Sequence, residues 1–374
     1  MQKLKILELT NFSAGVCGVW QRVKQESELL SKKGHEVLIL SSNSIKSTKL
    51  LAPKEETLDK IKIIRFPFKK IGGESLMFWL SKEAEKMALN FNPDIILAHS
   101  YRHPHTTKAI KLVKKSGAKV FLVTHAPFGR ERGFIQNIFV KLYDFLIGKR
   151  TINKFDKDII IARWEIPFLK KLKLKSEKIV YIPNGLPEEF FTQKNSVKEE
   201  NKILFLGRVS PIKNLESIIK ILPELDKKIK FEIVGPREKD YYEKLKILIK
   251  KLNLQDRVIF SEPIYNLKDK AKKIDEAKVF VLPSKSEGMS QALIEAMARG
   301  KRVLASNISA NKELIDEGKN GFLFNLNNSQ NLKDKIYQTL NLNLSQNKRI
   351  SQNAKKSVEK FRWTNLIENL EELF

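Results

Sequence analysis

Lys278–Gly300, KVFVLPSKSEGMSQALIEAMARG, reads as a strand, a loop and a helix in immediate succession. Lys278–Pro283 is an apolar run with no polar alternation after its first residue, the pattern of a strand covered on both faces of a parallel sheet. Ser284–Glu287 are polar, Gly288 loosens the backbone, and Ser290–Arg299 has the composition of a helix that Gly300 ends. Arg302–Ser306 then starts another strand, which completes a βαβ unit. The same alternation extends upstream. Lys202–Gly207 (KILFLG), Lys230–Gly235 (KFEIVG) and Arg257–Ser261 read as strands; Leu215–Leu222, Tyr241–Leu252 and Leu267–Ala277 read as helices. Gly321–Phe324 is a last short strand.

The first half repeats this plan. Lys3–Thr10 (KLKILELT) is a strand, a loop with Gly15 and Gly18 follows, and a helix runs from Val19 to Lys33 before Gly34 stops it. His35–Ser41, Ile61–Phe66, Asp94–His99, Lys119–His125, Asp158–Ala162 and Lys178–Ile182 read as further strands. Helices are expected over Glu74–Phe91, Pro104–Lys115 and the long apolar stretch Phe134–Phe155. Between Pro183 and Asn201 the text turns polar and charged, the mark of a linker. The expected architecture is therefore α/β, with two doubly wound Rossmann-like domains facing across a cleft, the first over 1–185, a linker over 186–201 and the second from 202.

The 374 residues suit two such domains. At 42% hydrophobic and 30% charged the chain has a globular balance. No run of about 18 apolar residues marks a transmembrane helix, and Met1–Thr10 lacks the layout of a secretion signal. Cys17 is the single cysteine, so neither an internal disulfide nor a cysteine-based zinc site is available. The expected compartment is the cytoplasm. A net charge of +27 favours anionic partners such as phosphates or an anionic lipid surface, and a solvated lysine-rich surface accounts for it equally well. Nucleic acid is not expected, because no helix-turn-helix, zinc-finger or RNA-binding aromatic motif accompanies the charge.

Chemistry concentrates at strand ends, where open α/β sheets bind ligands. Gly288, Met289 and Ser290 precede a helix, so free amides and the positive end of its dipole suit a phosphate or sugar oxygen. Glu287 lies in that loop. Glu295, further along the helix, is placed to accept both hydroxyl protons of a ribose. Gly207-Arg208-Val209-Ser210-Pro211-Ile212-Lys213 follows another strand. Gly207 permits a tight turn, and Arg208 with Lys213 fits a diphosphate. Gly235 ends a third strand. Each of these side chains alone reads as well as an ordinary surface charge; their joint placement is what distinguishes them.

Together they resemble the family-4 retaining glycosyltransferases (glycosyltransferase group 1) of the GT-B fold. The resemblance spans nearly the whole chain. It runs through Gly34-His35-Glu36-Val37, Pro183-Asn184-Gly185, Gly207-Arg208 to Lys213, Glu287-x7-Glu295, Asn320-Gly321-Phe322-Leu323 and Phe361-Arg362-Trp363. It implies a nucleotide-sugar-binding domain over 202–358 and a final helix over 359–374 returning to the N-terminal, acceptor-side domain. It also implies that Arg208 and Lys213 hold the donor diphosphate, Glu295 the ribose and Glu287 the sugar. Gly15 and Gly18 would let the first loop approach the substrates, although the sequence Gly15-Val16-Cys17-Gly18 departs from the family's adjacent glycine pair. His125 would stand near the reacting sugar, with His99 an acceptor-side candidate one strand away.

The implied reaction is sugar transfer with retained configuration, of the hexosyltransferase type, by same-face attack through an oxocarbenium-like ion pair. No cofactor or catalytic metal is expected. Asp156-Lys157-Asp158 mimics a metal-binding Asp-x-Asp but opens a strand, at the end opposite the site. The basic, aromatic stretches Phe134–Phe155 and Phe168–Lys175, with Lys69-Lys70, suggest a peripheral position on the inner face of the cell membrane. They suggest as acceptor a glycan or a polyprenyl-phosphate or other lipid-linked molecule. A nucleotide-sugar epimerase of the same architecture is the alternative, and a basic nucleic-acid-binding protein a more distant one.

Overall fold

The computed structural model describes residues 3–46, 48–71, 76–128, 133–192 and 197–374. The chain forms two compact units, Met1–Gly185 with Trp363–Phe374, and Leu186–Arg362.

Unit one contains β1 (Lys5–Thr10), β2 (Glu36–Ser42), β3 (Glu55–Leu58), β4 (Ile61–Phe66), β5 (Lys69–Lys70), β6 (Met77–Phe78), β7 (Ile95–His99), β8 (Lys119–Val123), β9 (Lys157–Ile160) and β10 (Ile179–Tyr181). Eight of them make one sheet in the order β10-β9-β8-β7-β1-β2-β4-β3. Neighbours are parallel except β3, which runs antiparallel to β4 at the edge. The apolar runs are explained by helices on both faces: Ile6, Leu7, Leu9, Ile96 and Leu97 are fully buried. β3 was not anticipated, because Glu55-Glu56-Thr57 is exposed and polar, as suits an edge strand.

The helix expected over Glu74–Phe91 is shorter. It occupies Lys82–Phe91, where the Ser81 hydroxyl accepts the Ala84 amide hydrogen at 3.2 Å as the N-cap. Met77 and Phe78 instead pair with Lys69 and Lys70 in a hairpin, and residues 74 and 75 lie outside the described residues. The Phe134–Phe155 stretch is helical, but a π-turn at Asp144–Gly148 interrupts it. Asp144 receives hydrogen bonds from Tyr101 (3.0 Å) and Arg102 (2.9 and 2.6 Å), and a Cβ on Gly148 would run into the Tyr101 hydroxyl.

Unit two contains β11 (Glu200–Leu206), β12 (Lys230–Val234), β13 (Val258–Ser261), β14 (Ala277–Leu282), β15 (Arg302–Ser306) and β16 (Phe322–Phe324), in the order β13-β12-β11-β14-β15-β16, all parallel. Leu186 and Phe190, in the stretch read as linker, are fully buried in this unit's core. The helix Trp363–Glu371 packs in unit one. Trp363 covers Gly185 and donates to Gln25 at 2.6 Å, and Glu371 bonds His35 at 2.9 Å. Among the described residues, no helix is long and apolar enough to cross a membrane.

Candidate functional site

In unit two, β11, β12 and β14 end side by side, and the loops after them carry the charged residues singled out in the sequence. Gly207 and Gly235 both have positive φ, +150° and +144°. A Cβ on Gly235 would strike the Gly207 carbonyl, so these glycines let two strand ends touch backbone to backbone. Beyond them Val209 donates to the Pro236 carbonyl at 2.8 Å and accepts from Glu238 at 3.0 Å. Arg208 donates to Glu238 at 2.9 Å.

The turn Pro211–Lys213 is tied to the neighbouring loop by a bond from the Lys285 amide to the Ile212 carbonyl, 2.8 Å. That tie sets Lys213 Nζ 2.5 Å from Glu287 Oε1. Gly288 follows, Met289 packs against the core of the unit, and buried Ser290 is the N-cap residue of the helix Gln291–Ala298. Glu295 lies on that helix, nearly buried, and Lys270 Nζ sits 2.6 Å from each of its carboxylate oxygens. The six residues Arg208, Lys213, Glu287, Gly288, Ser290 and Glu295 thus occupy one end of one sheet, with Gly207 and Gly235 in the turns beneath. Lys270 and Glu238 were missed. Lys270 is one lysine of many on a helix, and only its register opposite Glu295 distinguishes it.

In unit one, Gly15 has a φ of +72°, while Gly18 opens the helix Gly18–Lys32 with open space around its Cβ position. His125 follows β8 with a left-handed φ of +57° and is half-buried. His99 ends β7 and is fully buried, so it meets no ligand directly; its Nδ1 lies 2.9 Å from His125 Nε2. Its Nε2 lies 2.6 Å from Glu8 and 3.3 Å from Glu26. Arg22 bonds Glu26 at 3.1 Å and the Ile182 carbonyl at 2.9 Å. Burial pushes Glu26 up to about 7 and raises Glu8 well above the carboxylate range. Burial also pulls His99 down to about 4 and lowers His125 well below the usual histidine value.

Possible ligand atoms of Glu8, Glu26 and His99 lie within 4.8 Å of one another. The Arg22 guanidinium already neutralises Glu26, and His99 Nε2 already shares a hydrogen with Glu8, so this donor set suits a hydrogen-bond network better than a cation. In the Asp156-Lys157-Asp158 stretch, Asp156 accepts the Val120 amide hydrogen at 2.7 Å and Asp158 is fully buried in β9.

Residues 187–357 match the family model of glycosyl transferases group 1, and residues 16–190 that of glycosyltransferase family 4. An uncharacterized glycosyltransferase of Methanocaldococcus jannaschii, MJ1178, is 26% identical over 82% of each chain. The O-antigen chain mannosyltransferase RfbU of Salmonella typhimurium is 30% identical, over 51% of this chain and 52% of its own length. The fold matches that of Anabaena HepE, solved with UDP and glucose, with a TM-score of 0.78 at 18% identity over 99% of this chain and 98% of that one. The two family models between them run from residue 16 to residue 357, and the chain belongs to the family-4, group 1 glycosyltransferases of the GT-B fold.

Proposed function

We propose that this glycosyltransferase moves a sugar, with retention of configuration, from a nucleotide-sugar to a glycan or lipid-linked acceptor in glycan biosynthesis. The observation that carries the reading is the meeting of Arg208, Lys213, Glu287 and Glu295 at one sheet end of unit two. Lys213 and Arg208 are paired with carboxylates there, so a diphosphate takes over cations already held in place by Glu287 and Glu238. They stabilise the charge that grows on the departing nucleotide, which is electrostatic work that protein cations alone can do. Glu295 accepts the ribose hydroxyls and Glu287 contacts the sugar. The leaving phosphate accepts the proton of the attacking hydroxyl on the same face, and no enzyme carboxylate becomes glycosylated. Within unit one, the family resemblance alone assigns His125 to the transferring sugar.

An anionic membrane face as the place of reaction is supported by one surface. Ile135, Ile138, Phe139, Leu142, Phe145 and Leu146 are all exposed, Phe139 by 67%, along consecutive turns of the helical stretch. Lys141, Lys149 and Arg150 flank them. A contiguous apolar stripe edged by cations fits the boundary between lipid headgroups and acyl chains.

The test is nucleotide release from a panel of UDP-, GDP-, ADP- and dTDP-sugars, with and without membrane lipid extract. UDP-sugars come first because the structurally similar HepE was solved with UDP. Release from one donor, accelerated by extract and lowered about 100- to 1,000-fold in Arg208→Ala or Lys213→Ala, is expected from removing a contact of about 2.7–4 kcal/mol. Unchanged turnover in both variants overturns the site, and a trapped glycosyl-Glu287 overturns the same-face mechanism.

A further inference from the structure

Glu8 of β1, Arg22 and Glu26 of the helix Gly18–Lys32, and His99 of β7 meet with no exposed surface in the interior of unit one. Both ring nitrogens of His99 are engaged, Nε2 at 2.6 Å from Glu8 Oε2 and Nδ1 at 2.9 Å from His125 Nε2. A hydrogen-bonded path therefore runs from a buried carboxyl group to a half-buried histidine in a strand-end loop.

Charge balance sets the direction of that path. Arg22 is permanently cationic and bonded to Glu26. A sealed interior does not carry a net charge cheaply. Three arrangements are neutral, and the one with Glu8 ionised and Glu26 protonated is disfavoured because it sets a neutral acid against the Arg22 guanidinium bonded to it. In one of the other two, Glu26 is ionised and Glu8 keeps its proton; in the other, both carboxylates are ionised and His99 is doubly protonated. These differ only in where a single proton sits on the 2.6 Å line between Glu8 Oε2 and His99 Nε2. In both, His99 Nδ1 carries a hydrogen and donates it to His125 Nε2. His125, neutral, then has its own hydrogen on Nδ1. Lys46 and Arg22 also stand near His125, and their positive charge opposes a second proton on the ring. His105 of the helix Pro104–Ser116 bonds the His99 carbonyl at 2.8 Å and leaves both His99 ring nitrogens to the path.

We infer that Glu8 and His99 are positioning residues that hold His125 in its Nδ1–H tautomer, so that the nitrogen outside the path offers a hydrogen-bond donor to an oxygen of the bound substrate. This rests on the placement of His125 at the sugar in the proposed function.

The test reads tautomers directly, from long-range nitrogen-15 correlation spectra of the full chain, whose five histidines are assigned by single substitution. The wild type is expected to show His125 protonated on Nδ1. Glu8→Gln keeps this state, because the amide NH2 donates to His99 Nε2 as the protonated carboxyl does. Glu8→Leu leaves Glu26 as the acceptor 3.3 Å from His99 Nε2. Both rings then reverse, and His125 moves its hydrogen to Nε2. Turnover of Glu8→Leu falls about 3- to 10-fold below that of Glu8→Gln, the worth of one misdirected neutral hydrogen bond. A wild-type His125 protonated on Nε2, or identical tautomers in both variants, overturns the inference. The wild-type spectrum decides alone if Glu8→Leu does not fold. Full turnover in His125→Ala with the expected tautomers instead removes His125 from the site and leaves the path standing.

Discussion

Single side chains in unit two are arranged as matched ion pairs, and the pairs differ in what they do to a ligand. Lys213–Glu287 and Lys270–Glu295 both close at about contact distance, 2.5 and 2.6 Å, yet only the first joins two residues whose proposed roles differ. Lys270 faces Glu295 alone among the residues proposed to bind donor, so its effect runs through the ribose carboxylate. Lys270→Ala leaves a nearly buried carboxylate without the ammonium partner that holds it in place, which weakens its hold on the two ribose hydroxyls. The expected outcome is a donor KM about tenfold higher with kcat nearly unchanged, measured by initial-rate kinetics. A fall in kcat with unchanged KM would place Lys270 at the reacting bond instead. Glu287 and Glu295 were singled out in the sequence by the family resemblance, which combined a Glu-x7-Glu pair at a helix start with Arg208 and Lys213 upstream. Lys270 was not, because its meaning depends on which turn of another helix faces it.

Among the secondary-structure elements, strand ends are the sensitive points. Gly235 has a φ of +144°, and its missing Cβ makes room for the Gly207 carbonyl. Gly235→Ala is expected to lower stability by about 1–3 kcal/mol, seen as a lower Tm, because it meets an unfavourable backbone region and a carbonyl that cannot move freely. Gly18→Ala, at a position with open space, is expected to leave Tm within the range of a neutral surface change. The helical stretch from Phe134 makes a different point. Its sequence mixes apolar and aromatic residues with lysine and arginine, and the structure leaves the apolar stripe exposed. Phe139→Glu with Phe145→Glu is expected to abolish salt-sensitive binding to anionic vesicles in a flotation assay without changing Tm, since neither side chain supports the core. Equal binding by the variant would sever the stripe from any lipid surface.

For the molecule as a whole, the buried ionisable groups of unit one set how stability depends on pH. Burial raises Glu165 to about 7 from 4.5, so between those values the folded state binds more protons than the unfolded state and stability falls as pH rises. Glu8 and Asp158, also raised by burial, act in the same direction. Burial lowers His99 to about 4 and His105 to about 3 from 6.5, so stability falls as pH drops through that range. The two trends oppose each other between 4.5 and 6.5. A Tm profile is expected to peak within that window, and Glu165→Gln, which mimics the protonated acid, is expected to flatten the limb above it. A profile rising steadily to pH 8 would contradict the buried, proton-retaining state of these carboxyls.

The amino-acid sequence by itself determined the parallel strands of the two sheets and the strand ends at which the charged loops lie. Those features follow from local patterns: continuous apolar runs such as KILFLG and KVFVLP, punctuated by glycine and polar loops, can be buried on both faces only in a parallel α/β sheet. Tertiary structure alone decided the burial of Arg22 and Glu26, four residues apart on one helix. It alone decided their meeting with Glu8 and His99. The physical reason is that hydrophobic periodicity records which face of an element turns inward. What a buried charge meets there depends on elements far apart in the chain, 91 residues for Glu8 and His99 and 160 for Arg22 and Ile182, and such distances leave no local pattern to read.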